Sequence, residues 1–471
     1  MQRARGPLTL ALLCVVPIVL WTTSAPLEVR FTNLATSLTS LAVCSGLAGV
    51  SAFALNLILA GRLGVADQWF GGLDRLFRIH QWNGRIAFLL IAIHVGLIAA
   101  SRATGSIEQA LALFTPSAGW TVGFGVIAFI VMTIAMWLTI YVRLNHEVFV
   151  YVQRIFGFVF MLAALHVFKT PGAKASSQAL TYYLGGLSAL GIASFLYRSL
   201  LDNVLVRRHD YRVSEALPLD ETVMEIRMTP KGKPLDFKPG QFLFVTFYSD
   251  AVKSNLHPFS VESEGSSATV TIRPGEKSNQ FHPFSITSIP GERDLKVVFK
   301  EVGDYTHAMR SLERDASARI EGPYGAFSYQ NIRNKNQIWI AGGIGITPFL
   351  SMARSLTDTG HHIDFYYAMK SIRQGYLLAE FLQIAARTEG FRVVPFPEDE
   401  RGFLTVDAIE ENSGDLAGKD IMICGPPPMI DALRAQLEAK GVPKSRIHFE
   451  KFGFSPKPRK RSLSKTSSSA K

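Results

Sequence analysis

Six runs of continuous apolar residues, roughly 8–26, 37–60, 83–100, 119–141, 148–168 and 180–200, dominate the first 200 residues. Each is about 18–24 residues long, near the ~20 that a helix needs to cross a ~30 Å hydrocarbon core, so each predicts a membrane helix. The first has features of a signal peptide: basic Met1–Arg5, a short apolar run, then Thr23, Ser24 and Ala25. Its apolar run continues into a Pro-broken segment instead of ending cleanly, which favours a retained helix. Residues 201–213 read as a basic connector. Alternating runs follow at Thr222–Met228, Gln241–Phe247, Ala268–Ile272 and Leu295–Lys300, broken by Gly and Pro, and they predict a small antiparallel barrel. From about Lys335 the period changes. Strands at Gln337–Ala341, Ile363–Ala368 and Asp420–Cys424 alternate with helices at Pro348–Thr357, Leu377–Ala386 and Met429–Ala439, the pattern of a doubly wound parallel sheet.

Composition agrees with a membrane portion. Hydrophobic residues make up 48% and charged residues only 18%, less charge than a soluble chain usually carries. The net charge of +11 comes without a basic-aromatic recognition module, so nucleic acid is not expected as a partner. Much of the excess lies in loops and in the tail Lys457–Lys471. The N-terminus and the loops after the second, fourth and sixth segments hold Arg3, Arg5, Arg62, Arg75, Arg78, Arg85, Arg143, Arg154, Arg198, Arg207, Arg208 and Arg212. The other side holds Arg30, Arg102, Lys169 and Lys174. Twelve against four places the N-terminus and the polar half of the chain in the cytoplasm. The three cysteines, Cys14, Cys44 and Cys424, form no CxxC pair, so neither a disulfide framework nor a zinc site is expected.

Ionisable groups inside a bilayer are costly and usually functional. The third segment contains His80 and His94. Fourteen helical residues rise about 21 Å and return to nearly the same face, so one helix can offer an imidazole near each leaflet. The fifth segment carries His166. Two imidazoles from different helices suit a haem iron; a satisfied structural histidine is the plainer reading of any one of them alone.

In the polar half, Gly342, Gly343 and Gly345 join a strand to a helix that begins with Thr347 and Pro348. Glycines there let the backbone approach a phosphate at a helix N-terminus, although Gly-rich turns are common. A second turn, Cys424-Gly425-Pro426, also follows a strand and faces the same crevice, or simply ends that strand. The barrel region holds an echo: His257-Pro-Phe-Ser recurs as His282-Pro-Phe-Ser, offset by 25 residues, and only the second copy is followed by Val302–Thr306.

Together these residues resemble the ferric reductase and NADPH oxidase superfamily, bacterial type, over about residues 8–454. The segment from Gly72 through His80 to His94 resembles that family's third helix. The His-Pro-Phe-Ser strand resembles its flavin-binding motif, Val302–Thr306 its flavin-pyrophosphate turn, and Gly342–Pro348, Cys424–Met429 and Glu450–Phe454 its nicotinamide site. The resemblance implies a ferric reductase-like transmembrane haem domain of six helices (1–205), an antiparallel β-barrel FAD domain (210–330), an α/β doubly wound NAD(P)H domain (335–454) and a basic tail (455–471). It implies FAD held by His282, Pro283, Phe284, Ser285, Thr287, Ser288, Gly303, Asp304, Tyr305 and Thr306. NADPH, or NADH, would lie on Gly342, Gly343, Gly345, Thr347, Pro348, Gly425 and Pro426. Cys424 would sit near the nicotinamide, and Phe452 or Phe454 over the flavin. Lys370, Ser371 and Arg373 follow the second strand of the nucleotide sheet and suit a 2′-phosphate, which favours NADPH. His94 and His166 would ligate an outer haem b. The family's inner haem would use His80, but its expected partner position is Gln153, with His146 two turns earlier, so one or two haems are open. Of the two His-Pro-Phe-Ser copies the second is favoured, because flavin and pyrophosphate contacts come from neighbouring segments. The expected protein is an integral protein of a bacterial plasma membrane, in contact with lipid, carrying electrons from cytoplasmic NAD(P)H through FAD and haem to a small-molecule acceptor, a ferric chelate or oxygen. The alternative is a membrane subunit supplying electrons to a periplasmic protein partner.

Overall fold

The computed structural model describes residues 2–62, 64–142, 146–170, 177–201, 206–248, 259–264, 267–272, 281–301, 304–356 and 360–451. Six long helices come first: α1 (Gln2–Thr22), α2 (Leu34–Ala60), α3 (Leu73–Ala103), α4 (Gly119–Tyr141), α5 (His146–Lys169) and α6 (Gln178–Phe195). All six are long and apolar enough to cross a membrane. Their outward positions are apolar too, among them Leu12, Val19, Leu89, Ile130 and Trp137, a belt that suits hydrocarbon rather than water. Exposed Trp120 and Tyr141 bracket α4 roughly 30 Å apart by helical rise, the spacing of interface aromatics. The protein is therefore a membrane protein.

The first apolar segment is an integral part of this bundle. Pro17 has no N–H, so the Leu13 carbonyl four residues earlier loses its helical donor. The Tyr183 hydroxyl of α6 donates to that carbonyl at 2.5 Å, the kind of interhelical repair that tolerates proline in a membrane helix. Two helices outrun their apolar cores. α1 starts at Gln2, not at 8, and α3 starts at Leu73, not at 83, because helical hydrogen bonding continues through the charged flanks. α6 passes into a π-helical turn, Leu196–Leu200.

The barrel region contributes β1 (His209–Pro218), β2 (Val223–Pro230), β3 (Phe242–Tyr248), β4 (Phe259–Glu264), β5 (Ser267–Ile272), β6 (His282–Ser285), β7 (Leu295–Lys300) and β8 (Ser317–Tyr324). Six of these form one antiparallel sheet in the order β6-β3-β8-β1-β2-β7. A bridge between Ile286 and Val297 joins its two ends, so the sheet nearly closes. Among the described residues β4 and β5 pair only with each other. The connector expected at 201–213 becomes strand from His209. Tyr211 and Val213 are buried in the barrel core while Arg212 between them points out, and that alternation overrides the basic composition. β8 was not foreseen, since Arg, Glu, Gly and Pro interrupt its apolar positions.

β3 is apolar on both faces. Leu243, Val245 and Phe247 fill the barrel core. Phe242 and Phe244 point the other way and pack with the membrane helices. An antiparallel sheet normally leaves one face to water; here the bundle covers it.

The last region alternates β9 (Asn336–Gly342), α7 (Thr347–Arg354), β10 (His362–Met369), α8 (Leu378–Arg387), β11 (Phe391–Pro397), α9 (Val406–Ser413), β12 (Asp420–Gly425), α10 (Pro427–Ala439) and β13 (Ile447–Lys451). The sheet is parallel, in the order β11-β10-β9-β12-β13. Trp339, Phe365 and Tyr367 pack on one face, Ile338, Ile340, Tyr366 and Ile423 on the other, as a sheet covered on both sides requires. The two edge strands, β11 and β13, extend the pattern expected from sequence.

Candidate functional site

His94 on α3 and His166 on α5 are neighbours in an edge arrangement, with ring centroids 6.4 Å apart and planes at 68°. The Nδ1 of His94 lies 2.7 Å from the Ala42 carbonyl oxygen of α2, and the Nδ1 of His166 lies 2.7 Å from the Thr121 carbonyl oxygen of α4. A carbonyl only accepts, so each Nδ1 carries the proton and each Nε2 keeps its lone pair. That arrangement fixes the rings as metal-binding histidines are fixed. An imidazole centroid lies about 1.2 Å from Nε2 and a metal–imidazole bond is about 2.0 Å, so a metal shared by two facing Nε2 atoms separates the centroids by about 6.4 Å. The centroid separation matches the one that a bis-imidazole iron would require.

Two glycines, unnoticed in the sequence, make room for these rings. A Cβ on Gly46 of α2 would lie 2.7 Å from the His94 Nδ1, and one on Gly125 of α4 would lie 2.9 Å from the His166 Nδ1. Each glycine sits one turn after the carbonyl that its histidine uses. The only signal was a glycine four residues beyond an acceptor on a neighbouring helix, which cannot be read without the packing.

His80 also places Nδ1 against a carbonyl, that of Asn56, at 3.1 Å. Gln153 turns toward α4 instead, where its Nε2 donates to the Thr139 hydroxyl at 3.4 Å. The side chain of His146 lies outside the described residues. Among the described residues His94 and His166 are the one histidine pair in ring contact.

In the barrel, the second His-Pro-Phe-Ser copy is β6. It pairs with β3, Phe242 opposite Ser285 and Phe244 opposite Pro283. The first copy runs into the separate β4–β5 hairpin. Ser285 and Thr287 are buried, yet among the described residues neither hydroxyl has a partner. A buried unpaired hydroxyl is costly, and two of them on a flavin-type strand fit a ligand with hydrogen-bonding ring atoms. Phe284 packs in the barrel core. The His282 ring stacks on Tyr305 at 3.6 Å and 20°, which ties β6 to the short helix Asp304–Ala308 that holds Thr306. Gly303 and the Asp304 side chain lie outside the described residues.

The nucleotide crevice sits at the carboxyl ends of β9, β10 and β12. Backbones are tightly apposed there. A Cβ on Gly345 would lie 2.5 Å from the Cys424 carbonyl oxygen, and one on Gly342 would lie 2.6 Å from the Met429 sulfur. Gly343 has φ +54 and open space around its Cα, the free backbone that a phosphate can approach beside a helix N-terminus. α7 follows with Thr347, whose hydroxyl donates to the Ile344 carbonyl at 3.1 Å, and with Pro348 in its first turn. Gly425 and Pro426 lead into α10. Lys370 and Arg373 are exposed beyond the end of β10 with Ser371 between them, next to the glycine turn because β10 and β9 are neighbours.

Cys424 is fully buried opposite Ala341 and Glu450. Burial, and then the nearby Glu450 carboxylate, push its thiol well above the usual range. Its thiol is therefore held in the neutral form. Phe452 and Phe454 lie outside the described residues. Two residues of α7 bind the flavin strand to the nucleotide sheet: the Ser351 hydroxyl donates to the Ser288 carbonyl at 2.7 Å, and Arg354 donates to the Thr287 carbonyl at 2.6 Å while paired with Glu380. Nothing in the sequence marked them, since an arginine on a helix usually faces water.

Three family models match the chain in order. The ferric reductase like transmembrane component matches residues 45–164, an FAD-binding domain 209–279, and an oxidoreductase NAD-binding domain 339–435. The FAD-binding match ends before the second His-Pro-Phe-Ser copy, whereas the structure builds the barrel with that copy. The reductase component of propane 2-monooxygenase from Rhodococcus jostii is 27% identical over 271 residues, covering 54% of this chain and 66% of its own. NADH-cytochrome b5 reductase 1 from Pyricularia oryzae is 34% identical over 186 residues, covering 36% and 60%. The chain spans 60–66% of the length of these curated relatives. Flavohemoglobin from Malassezia yamatoensis superposes with a TM-score of 0.46 at 18% identity, over 78% of this chain and 97% of its own. The chain is an oxidoreductase that joins a ferric reductase-like transmembrane component to FAD-binding and NAD-binding domains, in the order of the ferric reductase and NADPH oxidase type fusion.

Proposed function

We propose that this protein carries electrons from NADPH on the cytoplasmic side to a small-molecule acceptor, a ferric chelate or oxygen, on the other side of the membrane. The observation that carries this reading is the His94–His166 pair, spaced for an iron and held in the ligating tautomer inside the bundle. When bound, FAD accepts a hydride and releases single electrons, and haem b takes them one at a time. The residues supply position. Ser285 and Thr287 offer hydroxyls to the flavin ring. The Gly343 turn and the α7 N-terminus receive the nucleotide phosphates, and Lys370, Ser371 and Arg373 the 2′-phosphate. Arg354 and Ser351 hold the nucleotide helix against the flavin strand, so that nicotinamide and flavin meet in a fixed geometry.

The arginines counted along the sequence support the orientation. Arg62, Arg78, Arg198 and Arg208 all reach residues of the barrel or the nucleotide sheet, so the basic end of the bundle is the end that bears the reductase domains. By the positive-inside rule that end is cytoplasmic.

The test is anaerobic mixing of the purified protein with NADPH, followed by each acceptor. Flavin bleaching followed by a reduced b-type haem spectrum, then reoxidation by a ferric chelate or oxygen, is the expected result. Reduced haem that neither acceptor reoxidises would instead favour a periplasmic protein partner. No haem spectrum at all would remove the proposal.

A further inference from the structure

We infer that Arg62 is the positioning residue that couples the flavin barrel to the His80 end of the membrane bundle; this rests on the electron path proposed above. Its guanidinium lies between two aromatic rings from different domains. The Cζ is 5.2 Å from the ring centroid of Phe77 on α3 and 4.9 Å from that of Phe244 on β3. Both separations are within cation–π range, and arginine, being planar and weakly hydrated, is suited to such a sandwich.

The two rings have meaningful neighbours. Phe77 is three residues before His80 on the same helix, hence on the same side of it. Phe244 lies opposite Pro283 of the His-Pro-Phe-Ser strand and belongs to an aromatic cluster with Phe242 and Tyr324, centroids 5.6–6.1 Å apart. Phe242 in turn lies opposite Ser285. Packed groups thus run from Phe242 through Phe244 and Arg62 to Phe77, with Ser285 across the sheet from one end and His80 one turn beyond the other.

The backbone is an independent observation. α2 ends at Ala60, Gly61 is its cap in right-handed conformation, and Arg62 follows with φ +51. The left-handed position just past a helix end is normally filled by Gly or Asn. An arginine there is strained, while a glycine stands one residue too early to relieve it. Strain of this kind persists when the surroundings hold the residue in place, and here they are Phe77 and Phe244.

The test compares Arg62→Gly with Arg62→Lys and the parent. Glycine removes the side chain and also relieves the backbone, so the variant is not expected to lose thermal stability; lysine keeps the charge but not the planar group. In stopped-flow mixing with NADPH, flavin reduction should stay within about twofold in both variants, while haem reduction, in which ferric iron gains one electron that the reduced flavin loses, should slow about tenfold in Arg62→Gly. Amide exchange over residues 73–80 and 242–248, a readout that needs no cofactor, should rise in the same variant. Haem reduction at the parent rate, flavin reduction slowed in step with it, or unchanged exchange in both segments each overturns the inference. A parent protein that reduces its flavin but never its haem would mark failure of the electron path itself, a different result from these.

Discussion

At the scale of single residues, the haem-type histidines, Ser285 and Cys424 make separable predictions. On the proposed ligation, removing His94 or His166 would leave the iron with a single imidazole; His94→Ala and His166→Ala should each abolish the low-spin b-type spectrum, and an unchanged spectrum in both would exclude them as ligands. Ser285→Ala removes a buried hydroxyl that has no partner among the described residues, so its loss should weaken FAD retention, by about tenfold for a lost buried hydrogen bond, with little effect on the empty fold. Ser260→Ala, in the first copy, should change retention far less. Equilibrium dialysis of FAD against both variants decides which copy serves. The Cys424 thiol, raised by burial and by Glu450, stays protonated through neutral and mildly alkaline pH, and only the thiolate reacts. Alkylation by iodoacetamide at pH 8, read by peptide mass, should therefore spare Cys424 in the folded protein and reach it after denaturation.

At the scale of elements, the close contacts between helices specify which glycines matter. Gly123 and Gly125 lie on one helix, two residues apart. A Cβ on Gly123 meets nothing within 4 Å, while one on Gly125 lies 2.9 Å from the His166 ring. Gly125→Ala should displace the imidazole and lower haem content or shift the spectrum, as should Gly46→Ala by the same contact with His94. Gly123→Ala should leave both unchanged. The pyridine-haem spectrum of each purified variant checks this. Likewise the first apolar segment behaves as an element of the bundle because Tyr183 repairs the carbonyl freed by Pro17; an isolated apolar run has no such partner.

For the whole molecule, two contacts decide how the parts act together. Glu321 of β8 is buried and faces Arg198, aimed from the π-helical turn, at 2.9 Å and Arg208 at 3.8 Å, while the Tyr324 hydroxyl donates to it at 2.7 Å. Burial and the Glu321 charge push the Tyr324 phenol above its usual range, so it remains a donor at any working pH. Glu321→Gln leaves two guanidiniums without their carboxylate and should destabilise the assembly by about 3 kcal/mol, visible as a lowered unfolding midpoint in detergent. The second contact is Gln153 with Thr139. An amide is a poor iron ligand beside imidazole, and Gln153 is turned to a neighbouring helix. A pyridine-haem assay should give one haem per chain, and Gln153→His should raise it toward two. Two low-spin haems in the parent would count against the loss of the inner site.

Much of this architecture was legible along the chain because it depends on local periods. Helix length against bilayer thickness marked six spans. A switch from period two to alternating strands and helices marked the barrel and the nucleotide sheet. His80, His94 and His166 stood out because imidazoles are rare inside apolar runs. The second His-Pro-Phe-Ser copy, favoured for FAD, lies next to β3 in the barrel, and the dialysis above tests that choice. Other features depend on which elements become neighbours, and no local pattern carries that. The roles of Gly46 and Gly125 exist only because α2 and α4 pack against two histidines. Arg354 and Ser351 matter because α7 crosses onto the flavin strand. Phe242 and Phe244 read as ordinary strand residues until the bundle covers the outer face of β3. Arg62 and Arg198 counted only as charges for orientation until folding set one between two aromatic rings and the other against Glu321. Periodicity is a property of the backbone and is written in the sequence; contact between domains is a property of packed surfaces, and only the tertiary structure decides it.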